Sequence, residues 1–194
     1  MPDLILASAS PRRQDLLEEA GIHFRVEHPD IDEWDSLTHP ELSPHEIALA
    51  NARRKAEVVH LRNKDSVILA ADTVVYCAGR LLGKPADTKE AEEMLLWLSG
   101  RTHEVLTAVA WCNPAVHVIR EQVARTWVTF RPLEKKVIEA YMAKVHVLDK
   151  AGAYAMQEHG CDLIERLEGS KTNVIGLPME IVEPWWREWH RGGA

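Results

Sequence analysis

Leu4-Ile5-Leu6-Ala7 is a short continuous apolar run, the pattern of a strand buried on both faces. The next residues support that reading: Ser10 suits an N-cap, Pro11 the first helical position, Leu16, Leu17 and Ala20 an apolar face, and Gly21 the stop. A second helix is predicted from Ser43-Pro44-His45-Glu46, a capping box with proline at its first position, to about His60. Ala48, Ala52, Ala56 and Val59 share one of its faces, and Lys55 falls in the middle of that face, an awkward place for a solvated lysine. Val67-Ile68-Leu69-Ala70-Ala71 is again continuous and apolar. Asp72-Thr73 ends it before Val74-Val75-Tyr76 resumes the extended pattern.

Asp87-Thr88-Lys89-Glu90 repeats the capping pattern ahead of Ala91, Met94, Leu95 and Leu98, with Gly100 as the stop. Then the period changes. Residues 103–111 and 116–130 read as two long antiparallel strands joined near Asn113-Pro114. Leu133, Val137, Ile138 and Tyr141 predict a further amphipathic helix, whereas residues 149–157 are too rich in Ala and Gly to assign. A strand is expected over residues 161–167, a polar loop over 169–173, and a last helical region from Gly176-Leu177-Pro178. The tryptophans of Trp185-Trp186-Arg187-Glu188-Trp189 fit packing over a core edge or a dimer contact better than base stacking. Interleaved strands and helices define an α/β fold, and the long adjacent strands make its sheet mixed. Ligands in such folds gather beyond strand ends.

A chain of 194 residues, 46% hydrophobic and 27% charged, suits one globular domain spanning residues 1–194. With 23 Lys and Arg against 30 Asp and Glu, the formal charge is -7, which disfavours a sequence-independent grip on nucleic acid. Cys77, Cys112 and Cys161 are odd in number and lack CxxC spacing, so they are expected as reduced thiols in the core, in a reducing compartment. The first segment lacks the charge and apolar length of a signal peptide, and no run approaches a membrane span, so a cytoplasmic protein without a membrane partner is expected. The ten histidines form no HExxH-like spacing and are expected as scattered surface residues, not a zinc site.

Three segments carry candidate chemistry. In Ser8-Ala9-Ser10-Pro11-Arg12-Arg13, two arginines occupy the first turn of a helix, where the dipole favours acidic residues. An anionic ligand resolves that conflict, since guanidinium groups and helix-end amides can converge on phosphate. Solvated arginines or a surface salt bridge account for the segment equally well. Asp72-Thr73, at the expected strand end, offers a carboxylate for a hard cation or a water proton and a hydroxyl for a ligand; a turn-capping aspartate is the alternative. Gly79-Arg80-Leu81-Leu82-Gly83-Lys84-Pro85 superficially looks like a phosphate loop, but it is one residue short and has Pro85 where a hydroxyl belongs. Lys84 remains available as a point charge. Glu33, within Asp30-Ile31-Asp32-Glu33, could add a metal oxygen, although the spacing is not that of an EF-hand.

Taken together these blocks resemble the Maf family of nucleotide pyrophosphatases. Ser8-Ala9-Ser10-Pro11-Arg12-Arg13, Ala71-Asp72-Thr73-Val74-Val75, Gly83-Lys84-Pro85 and Ser99-Gly100-Arg101-Thr102-His103 occur in the family's order. Asp149-Lys150-Ala151-Gly152-Ala153-Tyr154 and residues 169–178 continue the match over nearly the whole chain. The resemblance implies a mixed twisted sheet flanked by helices, similar to that of inosine triphosphate pyrophosphatases, with a ligand cleft across the sheet, and a homodimer in many members. It implies Asp72 as proton acceptor, Glu33 and Asp72 at a metal site, and Ser8, Arg12, Arg13, Lys55 and Lys84 as phosphate-binding residues. In the family's dTTP/UTP branch, base selection is associated with residues matching Arg12, Thr73 and Gln157. The implied cofactor is a divalent cation, Mg2+ first, with Mn2+ or Co2+ as substitutes.

The chain departs from the family pattern at Lys144-Val145-His146-Val147-Leu148, at Ala155, where glycine is common, and at Lys171, where an aromatic is common. These positions are expected near the base pocket and bear on substrate preference more than on the reaction. The expected reaction is hydrolysis of a nucleoside triphosphate, dTTP or UTP first, to monophosphate and pyrophosphate. The same reaction on 7-methyl-GTP or another modified base is the nearest alternative. A non-catalytic nucleotide-binding regulator of cell division is the alternative from another class; it requires triphosphate binding without pyrophosphate release.

Overall fold

The structure is a computed structural model that describes residues 3–113 and 118–192. One seven-stranded sheet organises it. β1 (Leu4–Ala7) leads into α1 (Pro11–Glu19), and β2 (Arg25–Glu27) returns beside β1 in parallel. α2 (Pro44–Arg62) then crosses to β3 (Val67–Cys77), also parallel to β1. β4 (Arg80–Leu82) folds back on β3 through Ala78 and Gly79, whose φ values of 48° and 83° meet the demand of a two-residue hairpin for positive φ. After α3 (Thr88–Leu98), β5 (Thr102–Asn113), β6 (Val118–Phe130) and β7 (Ile164–Glu168) extend the sheet antiparallel. The path is β2-β1-β3-β5-β6-β7, with β4 on β3, so the expected mixed sheet is present. The turn expected around Asn113-Pro114 lies largely outside the described residues, as does Val116.

The helices cap the sheet through the signals seen in the sequence. Ser43 and Glu46 form both halves of the capping box on α2, and the Asp87 carboxylate accepts from the Glu90 amide on α3. Ser10 occupies the N-cap of α1, yet its side chain makes no capping bond. Ala48, Ala52, Ala56 and Val59 of α2 pack with Ile5, Ile68 and Ala70 on one face of the sheet. Leu16 and Leu17 of α1 pack with Leu4, Leu6, Leu69 and Trp111 on the other. Trp185, Trp186 and Trp189, on α6 (Met179–Gly192), cover the edge of that second cluster.

Five expectations change. Asp72 and Thr73 do not end a strand: β3 runs unbroken through them, paired with Ala108 and Thr107 of β5. Residues 169–173 are not all loop, because Ser170 accepts from the Asn173 amide and starts the short helix α5 (Lys171–Ile175). The last strand begins only at Ile164, after a 3-10 turn at Gly160–Asp162. Cys161 is exposed while Cys77 and Cys112 are buried, and His103, far from being a surface residue, is buried at 1% exposure. α4 (Lys135–Met142) and a 3-10 turn at Ala151–Ala153 fill the region between β6 and β7.

His103 is half-satisfied: Nε2 lies 2.8 Å from the Tyr154 hydroxyl, and Nδ1 has no partner among the described residues. Burial pushes its pKa down to about 4. The folded state therefore binds fewer protons than the unfolded chain, and His103's contribution is complete above its ordinary value of 6.5 and lost as pH falls toward about 4. Its titration should remove roughly 3 kcal/mol across that window, from about 1.4 kcal/mol per pKa unit. His103→Gln, which keeps a group near Nε2 without the titration, is expected to lose less stability over the same window. Urea unfolding of both proteins from pH 7 to 4 checks this; parallel losses would remove His103 from the acid response.

Candidate active site

The sheet itself opens the site. β1 pairs with β3 only as far as Ala70, and β4 takes up the same edge only from Val75. Between them Ala71, Asp72, Thr73 and Val74 have a strand neighbour on the β5 side alone. A cavity of about 860 Å³ occupies this gap, lined by the loop from β1 to α1, by residues 28–31 and 33–37, by the middle of β3 and by the segment around Lys150.

Alternation along β3 sends Asp72 and Thr73 to opposite faces of the sheet. On the α2 face, Asp72 is buried at 5% exposure. Its Oδ1 accepts from Lys55 Nζ at 2.6 Å and its Oδ2 from Asn51 Nδ2 at 3.2 Å. Lys55 also donates to Glu33 Oε1 at 2.6 Å, and Lys84, brought in behind the β3–β4 hairpin, reaches Glu33 Oε2 at 3.1 Å. A carboxylate, an ammonium and a second carboxylate thus alternate along one wall. Burial alone would raise the Glu33 pKa, but the charges and hydrogen bonds of Lys55 and Lys84 overcome it and hold the group at about 2.

On the α1 face, Arg13 is buried at 8% exposure and spends three of its donors on the protein: Nε on Gly176 O (2.7 Å), Nη1 on Ser8 Oγ (3.0 Å) and Nη2 on Thr73 Oγ1 (3.2 Å). Gly176, at φ 126°, takes a conformation that side chains rarely adopt. Arg12 turns instead to Asp149, pairing with Oδ2 at 2.8 Å. Gln157 is exposed at the rim.

All the residues singled out in the sequence line this one cavity: Ser8, Arg12, Arg13, Glu33, Lys55, Asp72, Thr73, Lys84 and Gln157. Lys55 is buried because its face of α2 meets β3 directly above Asp72, which accounts for its place among alanines. Two further contacts escaped the motif reading. Asn51, one turn before Lys55, binds Asp72 and also clamps the Trp34 backbone, accepting from N at 2.8 Å and donating to O at 2.9 Å. Asp149 anchors Arg12 and also accepts from Lys150 Nζ at 2.8 Å. Of the departures from the family pattern, Ala155 lines the cavity, whereas residues 144–148 and Lys171 lie outside its lining.

Among the described residues no three His, Cys, Asp or Glu side chains group closely enough to hold a metal by themselves. Asp72 and Glu33, two hard oxygen donors bound to the same ammonium, do fit the manner in which Mg2+ is held by one or two carboxylates plus substrate phosphates and waters. No helix of the described residues is long and apolar enough to cross a membrane.

Comparison with known proteins agrees with this geometry. The family described as Maf-like protein matches residues 3–188. A dTTP/UTP pyrophosphatase of Akkermansia muciniphila is 47% identical over 94% of each chain. The dTTP/UTP pyrophosphatase of Symbiobacterium thermophilum is 44% identical over 92% of this chain and 90% of its own, and that of Thermotoga maritima 41% identical over 98% and 97%. With most of the ordered motifs contributing to one cleft and similarity running almost end to end, the chain belongs to the Maf family.

Proposed function

We propose that the protein hydrolyses dTTP and UTP to the nucleoside monophosphate and pyrophosphate. The observation that carries this reading is the convergence of Arg13, Lys55 and Lys84 with the buried carboxylate of Asp72 in a single cavity. The activity named for the relatives supplies the substrate pair.

A triphosphate repels an incoming nucleophile, so the site must neutralise charge and place a water before any bond changes. Lys55 and Lys84 supply point charges for the phosphate oxygens, and the guanidinium protons of Arg13 that the protein leaves unused add directional donors. Asp72 takes a proton from the water whose oxygen attacks the α-phosphorus. The bond from that phosphorus to the oxygen bridging toward the β-phosphorus breaks, and pyrophosphate leaves with the bridging oxygen. Glu33, ionised down to a pH of about 2, holds Lys55 and Lys84 together at the mouth of this arrangement. Asp72 and Glu33 would also be the protein ligands of a divalent cation, Mg2+ in the simplest case, which when bound neutralises charge on the phosphates.

The test is a panel of canonical and modified triphosphates, including 7-methyl-GTP, with and without Mg2+, with both phosphate products identified. Pyrophosphate and monophosphate from dTTP and UTP are expected. Orthophosphate as first product would place cleavage at the wrong bond, and binding without turnover would leave a nucleotide sensor.

A further inference from the structure

Asn51 is buried on α2 in the cavity wall, and both of its N–H groups and its oxygen are bonded to the protein. Oδ1 accepts from the Trp34 amide at 2.8 Å, while Nδ2 donates to the Trp34 carbonyl at 2.9 Å and to Asp72 Oδ2 at 3.2 Å. That pairing fixes which end of the side chain is which. Turned over, it would set its oxygen against two acceptors, Trp34 O and Asp72 Oδ2, and its NH2 group against the Trp34 N–H. The backbone of Trp34 therefore holds Asn51 as a donor toward Asp72.

Asp72 needs that second contact to have one orientation. Rotation of a carboxylate about its Cβ–Cγ bond is soft. Lys55 Nζ, 2.6 Å from Oδ1, holds one oxygen with an ammonium that is a rotatable point charge, which leaves the carboxylate plane free to pivot about Oδ1. Asn51 places a planar, fixed donor on Oδ2, and the plane is then set from both ends. Asn51 and Lys55 lie four residues apart on one face of α2 and also grip adjacent residues of the cavity wall, Trp34 and Glu33. Arg54 holds the same stretch of wall, with Nη1 2.8 Å from Asp32 O and its guanidinium carbon 4.8 Å from the Trp34 ring centre, but none of its bonds among the described residues reaches Asp72.

We propose that Asn51 is a positioning residue for the hydrolysis: it sets the plane of the Asp72 carboxylate, so that the lone pairs left free by Lys55 and Asn51 meet the attacking water. This rests on the proposed hydrolysis of dTTP and UTP with Asp72 as proton acceptor, and deepens it. Asn51 touches no reacting atom in this role. Its N–H groups are spent on Trp34 and Asp72, so it has no proton for a phosphate oxygen, and its loss should appear in kcat and not in KM.

Asn51→Leu keeps nearly the same outline and removes all three bonds, and the backbone of half-buried Trp34 can turn to water. The kcat for UTP is expected to fall about 10- to 100-fold, the range for misplacing a reacting group or losing a partner that orients a functional side chain, with KM near its original value. In the Asp72→Asn background, where no carboxylate is left to aim, the same substitution should change kcat by less than about twofold, because the two residues act as a unit. Arg54→Met, which loosens the same stretch of wall and leaves the Asp72 contacts intact, should keep kcat close to that of the unmodified protein. Equal proportional losses from Asn51→Leu in both backgrounds, a matching loss in Arg54→Met, or a change confined to KM would each overturn the role of Asn51 and leave the proposed reaction standing. Absence of pyrophosphate release from UTP and dTTP by the unmodified protein would overturn both. If Asn51→Leu does not fold, Asn51→Ala, which leaves room for water beside Trp34, carries the same comparison.

Discussion

Asp72→Asn is expected to lower turnover by roughly 10^2 to 10^4, the usual range for losing a general base, with the protein still folded. The replacement is isosteric, and the new amide oxygen can still accept from Asn51 or Lys55. Lys55 keeps Glu33 as its counter-charge. Glu33, the other carboxylate bound to Lys55, is a poor substitute, because Lys55 and Lys84 hold it as an ion pair with little basicity, its pKa at about 2. Steady-state pyrophosphate release from UTP, alongside urea unfolding, separates the two effects. Near-normal turnover would remove Asp72 from the chemistry, and a lost fold would make it a structural anchor.

What the sequence made legible was whatever depends on near neighbours. The capping box at Ser43, the N-cap at Asp87, Pro11 behind Ser10 and the apolar face of α2 are local signals, and each placed a helix correctly. Lys55 could be flagged because a charge among alanines on a helical face contradicts its surroundings. The continuity of β3 was not legible. Asp72 and Thr73 looked like a strand end because their polarity is explained only by the gap between β1 and β4, a feature of pairing between distant segments. Asn51 carried a faint signal, since it lies four residues before Lys55 and so on the same face. The Arg12–Asp149 pair joins residues 137 positions apart, and nothing local to either residue announces it. The Ser170 cap was hidden in the opposite sense, because a polar run of Gly, Ser, Lys, Thr and Asn reads as loop until its hydroxyl is seen on the Asn173 amide.

Lys55→Met should be the most destabilising single change in the cleft. Lys55 and Asp72 have side chains only 7% exposed, so their pair is buried on both sides. Removing one member of such a pair leaves the other as an uncompensated buried charge and costs about 3 to 5 kcal/mol. Glu33, at 38% side-chain exposure, can turn to water and should add little to that figure. Methionine fills nearly the same volume, so the loss reports the charge and not a cavity. The decisive comparison is the double variant Lys55→Met with Asp72→Asn, which has no buried carboxylate left to strand and should recover much of the lost stability. A double-mutant cycle in urea measures that coupling. Activity should stay low in all three variants, because neither the charge on the phosphates nor the proton acceptor returns when stability does. A Lys55→Met protein with an unaltered urea midpoint would mean that Asp72 does not depend on this ammonium in the folded state, and the alternating wall of charges would lose its central member.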